Sequence, residues 1–253
     1  MNIRDQVVLI TGAGRGLGAA CAKAFAAEGA RVIINYYQSQ EKAEALAREI
    51  GEPAVALQAD VRKKEELARL VQEGERHFGA PVSTAVHNAL VDFRFDPEAQ
   101  EDLEHVSWES FETQMEGSVK GALNVVQAVL PSMKKQEFGR LIMIGTNLVQ
   151  HPVVPYHEYT SGKAALLGFT RNAAKELGPS GITVNMVSGG LLEKTDASSV
   201  TTPEVFDIIR QTTPLQRVTT PEEMADAVLF FSSPWSRAVT GQNLVVDGGL
   251  VMH

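Results

Sequence analysis

A chain of 253 residues, 44% hydrophobic and 21% charged, is long enough to bury a large core and is expected to form one domain. Its net charge of −8 argues against general nucleic-acid binding, and no apolar run approaches the roughly 20 residues of a membrane span, so neither partner is expected. The single cysteine, Cys21, rules out an internal disulfide; with a polar start that is no signal peptide, a cytoplasmic protein is expected.

Short runs rich in Val and Ile predict strands over 7–10, 31–36, 55–58, 84–86, 141–144, 182–187 and 244–246. Their hydrophobicity is continuous rather than alternating, which suggests strands covered on both faces, as in a parallel sheet. Between them, Leu17, Cys21 and Phe25 recur at helical spacing, as do Leu67, Leu70, Val71 and Phe78, and then Leu123, Val126 and Leu130. Gly29, Gly51, Gly79 and Gly178 stand where left-handed helix caps are expected. There is no linker and no repeat. The expectation is a single-domain, doubly wound α/β fold around a seven-stranded parallel sheet, with ligands beyond the carboxyl ends of the strands.

At the first such end stands Thr11-Gly12-Ala13-Gly14-Arg15-Gly16-Leu17-Gly18. Glycines let a backbone turn tightly and approach a phosphate, and a helix starting there points its amides at the anion. The second strand ends in Asn35-Tyr36-Tyr37, without the carboxylate that receives the ribose hydroxyls of NAD. Arg15 and Ser39 could instead hold a 2′-phosphate, which favours NADP(H).

Asp60-Val61 closes the third strand, where the carboxylate could accept from an adenine amino group or cap the helix that starts near Lys63. His87-Asn88-Ala89-Leu90 closes the fourth. Asn88 could tie neighbouring strands, and His87 reads as a packed histidine, with no second ligand at metal spacing, so no metal is expected. Residues 91–109, with Asp92, Asp96, Glu98, Glu101, Asp102 and Glu104, read as solvated surface. Ser118 lies inside a long helix, and Thr146 puts a hydroxyl at the end of the fifth strand, thirteen residues before Tyr159.

Tyr159 and Lys163 are four apart, hence on one helix face. A free tyrosine titrates near pH 10, and an ammonium a few Å away lowers that by roughly 1–3 units, toward the range of efficient proton transfer.

In this order the chain resembles the short-chain dehydrogenase/reductases along essentially its whole length. Residues 12–18 look like that family's T-G-x-x-x-G-x-G turn, Tyr159-Thr160-Ser161-Gly162-Lys163 like its Y-x-x-x-K, and Val239-Thr240-Gly241-Gln242 with Val246-Asp247-Gly248-Gly249 like its C-terminal signature. The nearest resemblance is to the 3-oxoacyl-[acyl-carrier-protein] reductase branch.

The resemblance implies a Rossmann-type fold and a homotetramer, and it implies roles. Tyr159 would donate the proton in reduction, and Lys163 would hold the nicotinamide ribose and lower the tyrosine pKa. Thr146 falls where the family usually has a catalytic serine, and Ser118 where most members have an asparagine that holds a relay water. Contacts to NADP(H) would come from Gly12, Arg15, Gly16, Leu17, Gly18, Asn35, Tyr36, Ser39, Asp60, Val61, Asn88, Ala89, Gly190, Leu192 and Thr195, besides Tyr159 and Lys163.

His87-Asn88-Ala89-Leu90 replaces the usual N-N-A-G, and Ser188-Gly189-Gly190 the usual Pro-Gly, which should loosen the loop over the nicotinamide. Residues 191–213 lack strong periodicity and would form the substrate lid. Lys134, Lys135, Arg140, Arg171 and Lys175 would form a basic patch for an acidic carrier protein, or else solvated faces. The activity implied is NADPH-dependent reduction of a carbonyl substrate, most simply a 3-oxoacyl thioester. An alcohol dehydrogenase working oxidatively, and a degenerate nucleotide-binding sensor or scaffold suggested by Ser118, Leu90 and Gly189, stay open.

Overall fold

The computed structural model describes residues 1–93, 95–96, 100–193, 195, 198 and 201–252. Strands β1 (Val7–Ile10), β2 (Arg31–Tyr36), β3 (Ala54–Gln58), β4 (Thr84–His87), β5 (Gly139–Thr146), β6 (Ile182–Gly189) and β7 (Asn243–Val246) form one sheet. Its order is β3-β2-β1-β4-β5-β6-β7, parallel throughout. Successive side chains of a strand face opposite ways, and both faces are apolar here. Val7 and Leu9 pack with helices α3 (Lys64–Phe78), α5 (Gly121–Lys135) and α6 (His157–Leu177). Val8 and Ile10 pack with α1 (Gly16–Ala27), α2 (Gln40–Ile50) and α8 (Pro221–Ser232). Phe25 and Cys21, on one face of α1, are wholly buried in the second layer; truncating Phe25 to Ala would cost about 3–5 kcal/mol.

Strand order reverses between β1 and β4, so the chain leaves these two neighbouring strands in opposite directions and opens a crevice at their carboxyl ends. Further along the sheet, β5 runs two residues beyond each end of its predicted span and brings Thr146 level with Gly189 of β6, which is level with Val246 of β7.

Three expectations change. Gly51 ends α2 with φ +90° and ψ −149°, outside the left-handed helical region. Gly178 is right-handed helical and starts a tight turn, and Gly181 takes the left-handed cap in its place. The stretch expected to lack structure holds helix α7 (Pro203–Thr212), with Pro203 in its first turn, where a missing N–H costs nothing. None of α7 is buried, so its apolar residues Val205 and Ile208 are exposed and leave no core-facing stripe to read.

Helix α4 (Trp108–Met115) continues into α5 through a wider π turn, Glu116–Lys120, in which the Gly121 amide donates to the Glu116 carbonyl. Among the described residues no helix is long and apolar enough to cross a membrane.

Candidate active site

The glycine turn is built as a cradle. Gly12 takes φ +62°, open to glycine at little cost, and a Cβ there would come within 2.9 Å of Ala89 Cα. A Cβ on Gly18 would meet the Gly12 carbonyl at 2.6 Å and Asn88 Nδ2 at 2.7 Å. The α1 N-terminus, at Arg15 and Gly16, follows directly. Asn88 does tie the strand ends: its Nδ2 donates to the Thr11 and Gly12 carbonyls at 3.0 and 3.2 Å. The Thr11 hydroxyl accepts from the amides of Asn88 and Ala89, both at 3.0 Å. Ser39 Oγ lies 2.7 Å from where a Gly14 Cβ would be, and Thr195 lies 3.8 Å from the same point on Gly16. Ser39, at the start of α2, and Thr195 from the lid therefore border one turn. Its bare backbone, helix N-terminus and flanking hydroxyls fit a dinucleotide phosphate.

Asn35 is placed differently from expectation. It is 1% exposed: its Oδ1 accepts from the Gly12 amide at 3.3 Å and its Nδ2 donates to the Ala59 carbonyl at 3.0 Å. It braces β1 to β3 beneath the turn rather than facing a ligand. Tyr36 is also buried, and Val61 is buried against Gly121 of α5.

Asp60 is held by Arg62, whose Nε and Nη2 reach its two carboxylate oxygens at 2.8–3.1 Å. Burial alone would raise the Asp60 pKa, but the hydrogen bonds and charge of Arg62, with Lys63 beside it, outweigh this and hold the carboxyl below its usual range. Asp60 does not cap α3, whose cap position is Lys63; its Oδ1 accepts instead from the Arg62 amide. Arg62 also lies 5.7 Å from the Tyr37 ring, so the far end of the cradle presents a guanidinium that the sequence pattern does not mark.

At the sheet's other half, Tyr159 and Lys163 lie in α6 over the end of β5. The Tyr159 hydroxyl faces the Thr146 side chain, whose Oγ1 accepts from the Leu148 amide at 3.3 Å. Lys163 Nζ donates to the Ile144 carbonyl at 2.8 Å and stands 5.7 Å from the centre of the Tyr159 ring. Both side chains are buried.

Here the expected electrostatics reverse. Burial pushes the Tyr159 pKa well above 10, against the pull of the Thr146 side chain. Burial likewise lowers Lys163 to about 8. Lys163 does not depress the tyrosine, because desolvation of the phenolate wins and the ammonium is tied to a backbone carbonyl.

Ser118 is buried in the π turn, its Oγ 3.3 Å from where a Gly162 Cβ would stand, in the helical turn between Tyr159 and Lys163. The four residues named for catalysis thus gather in one place. His87 joins them: its Nε2 lies 3.1 Å from the Gly117 carbonyl. Burial first, and the Lys163 charge second, lower its pKa to about 3, so it is a neutral donor there.

Gly190, past β6, lies against Asn147 and Asp247, whose side chains are bonded at 3.0 Å. Gly189 is the last residue of β6, and a Cβ on it would meet Met224 Sδ at 2.5 Å. The glycine pair therefore packs closely against Met224, Asn147 and Asp247. Leu192 pairs with Thr219, and the Glu193 amide donates to the Thr219 carbonyl at 3.0 Å.

The expected basic patch loses one member, Arg140. Arg140 is buried, its Nη1 on the Gly139 carbonyl and its guanidinium 4.3 Å from the Phe138 ring. Lys134, Lys135, Arg171 and Lys175 are exposed, but they lie at the amino ends of the strands, about 20 Å from Thr146 by strand length.

In the acidic stretch, Asp92, Glu101, Asp102 and Glu104 are exposed as expected, and Glu98 lies outside the described residues. Phe93 and Phe95 turn inward instead. The Phe93 ring stacks on Tyr159 at 4.6 Å and 18°, and Phe95 meets Tyr159 edge-on at 5.2 Å. Two aromatics two apart amid acids were the available signal.

Among the described residues no group of three or more His, Cys, Asp or Glu is placed to hold a metal ion. A family model described as "Enoyl-(Acyl carrier protein) reductase" matches residues 12–251. A 3-oxoacyl-[acyl-carrier-protein] reductase of Staphylococcus epidermidis is 33% identical, over 98% of this chain and all of that one. Versicolorin reductase 1 of Aspergillus parasiticus is 34% identical, over 98% and 97%. Among solved structures, one described provisionally as a gluconate dehydrogenase, from Agrobacterium tumefaciens, superposes with a TM-score of 0.89 at 25% identity, covering 99% and 98% of the two chains.

Proposed function

The chain belongs to the short-chain dehydrogenase/reductase family and is an oxidoreductase acting between CH–OH and C=O; on that premise we propose that it reduces a carbonyl compound with NADPH. The relatives that are 3-oxoacyl-[acyl-carrier-protein] reductases support a 3-oxoacyl thioester, on acyl carrier protein, as the substrate. The observation that carries the reading is the Tyr159 hydroxyl facing Thr146 over the end of β5, with Lys163 one turn along.

NADPH, when bound, would supply a hydride to the carbonyl carbon. Tyr159, kept protonated by its burial, donates its proton to the carbonyl oxygen, and the Thr146 hydroxyl orients that oxygen. Lys163, anchored on Ile144, would hold the ribose hydroxyls. Ser118, where most members of the family have an asparagine, would stand at the relay position beside Gly162. Arg15 and Ser39, with no carboxylate at the end of β2, support NADP(H) over NAD(H). Gly12, Gly16, Leu17 and Gly18 would bind the diphosphate, and Asp60, Val61, Asn88 and Ala89 would border the adenosine half. Tyr36 and Asn35 would shape that end, and Gly190, Leu192 and Thr195 would close over the nicotinamide. We extend the reading to a cytoplasmic homotetramer, which the family resemblance supports.

A steady-state NADPH oxidation assay against short 3-oxoacyl thioesters and a panel of ketones tests the reading. Oxidation of alcohols with NADP⁺ and no ketone turnover would favour the dehydrogenase reading, which the likeness to the Agrobacterium protein supports. NADPH binding without any turnover would leave a sensor or scaffold.

A further inference from the structure

Phe93 is held over Tyr159 by more than its own packing. The Val91 carbonyl accepts from Gln114 Nε2 at 2.9 Å, and Val91 Cβ lies 2.9 Å from where a Gly117 Cβ would be. Val91 is thus fastened to α4 and the π turn. Asp92 then takes φ +42°, a left-handed conformation that a non-glycine residue enters only when its surroundings hold it there. This turn brings Phe93 back onto Tyr159. Tyr156 completes the group, edge-on to Phe93 at 5.3 Å and to Phe95 at 5.9 Å, with Leu148 and Val154 packed beside it.

Three rings, those of Phe93, Phe95 and Tyr156, therefore pack around the proton donor. A carbonyl that reaches the Tyr159 hydroxyl must bring its neighbouring group against them. A saturated chain meets the rings by dispersion alone, whereas a flat ring can take over the stacked or edge-on geometry that Phe93 and Phe95 now make with Tyr159.

We infer that Phe93 and Phe95 are specificity-determining residues, which favour carbonyl substrates bearing a flat aromatic or conjugated ring over those bearing only a saturated chain. The inference rests on the carbonyl-reductase reading and narrows its substrate class.

The test compares two thioesters that differ only beyond the ketone, 3-oxo-3-phenylpropanoyl and 3-oxohexanoyl N-acetylcysteamine, in the wild type, Phe93→Leu and Phe95→Leu. The expected result is a wild-type preference for the phenyl compound of about tenfold in kcat/KM, falling to within about twofold in Phe93→Leu. NADPH affinity, measured alongside, should not change; if Phe93→Leu fails to fold, Phe95→Leu carries the comparison. Reduction of both thioesters without a phenyl preference, or a preference that both variants keep, overturns the inference while the reductase reading stands. If neither thioester is reduced, that reading fails for these compounds, and fluorescence titration with 2-naphthol in the presence of NADPH decides. Naphthol binding weakened about tenfold by Phe93→Leu upholds the ring-lined subsite. No binding, or binding indifferent to Phe93, overturns it.

Discussion

The imidazole of His87 donates through Nε2 to the carbonyl of Gly117, 3.1 Å away, while its Nδ1 is buried without a hydrogen-bond partner. The contact joins the end of β4 to the turn that carries Ser118. Burial and the nearby Lys163 charge lower its pKa from 6.5 to about 3. Below pH 6.5 the unfolded chain takes up a proton that the folded chain refuses, so stability falls as pH drops from 6.5 toward 3. The slope from this residue should approach about 1.4 kcal/mol per pH unit. In His87→Asn, whose amide can still donate, urea unfolding at pH 7 and pH 5 should show a smaller difference than in the wild type.

Lys163 titrates at about 8 when folded, against 10.5 for the free side chain. Its burial costs stability fully below pH 8, and the cost is relieved as pH rises from 8 toward 10.5, where the unfolded chain holds more protons. Lys163→Met should lose this rise. Unfolding midpoints at pH 7.5 and 9.5, wild type against variant, would show it, and the variant should also be inactive.

Tyr159→Phe keeps the ring that Phe93 stacks on and removes only the acid. NADPH affinity should stay within about twofold, and turnover should fall by roughly 10²–10⁴, the usual worth of a positioned proton donor. Near-normal turnover would mean that Tyr159 is not the acid.

Removing the charge or hydroxyl beside the glycine turn should separate the two nicotinamide cofactors. Charge-assisted hydrogen bonds are worth about 1.5–3 kcal/mol, so Arg15→Ala should weaken NADPH roughly ten- to a hundredfold and Ser39→Ala less, with NADH little affected. Titration of both cofactors against each variant reads the difference directly.

Gly18→Ala places a methyl 2.6 Å from the Gly12 carbonyl and 2.8 Å from Ala13 Cα, neither of which is free to yield. Overpacking of this kind costs about 1–3 kcal/mol and should lower Tm by several degrees. Cofactor binding should fall with it, since the same backbone forms the cradle.

The sheet was legible because Val and Ile runs covered on both faces have one economical arrangement, and each predicted strand lies within two residues of its place. Tyr159, Lys163 and Thr146 were legible from their spacing and from the strand end. What escaped depends on direction rather than identity. Asn35 and Arg140 are polar residues whose side chains point into the fold, which a linear pattern does not record. Phe93 and Phe95 look solvated by the company they keep, and only the turn at Asp92 aims them at Tyr159. Lys163 lowers nothing on Tyr159 because burial, invisible in the spacing, dominates both groups.

The wide turn at Glu116–Lys120 has a bearing on how this protein can diverge. Each residue of a helix is rotated by about 100° from its predecessor, and the wider turn absorbs one more residue than a regular α turn does. Helices α4 and α5 therefore hold independent angular phases, Gln114 turned toward Val91 and Asn124 toward Val61. Losing a single residue between them would swing Ser118 away from Gly162 while leaving either helix intact by itself. The exposed positions of this segment, such as Lys120, can change side chain without disturbing that phase; a change of length cannot be absorbed in the same way.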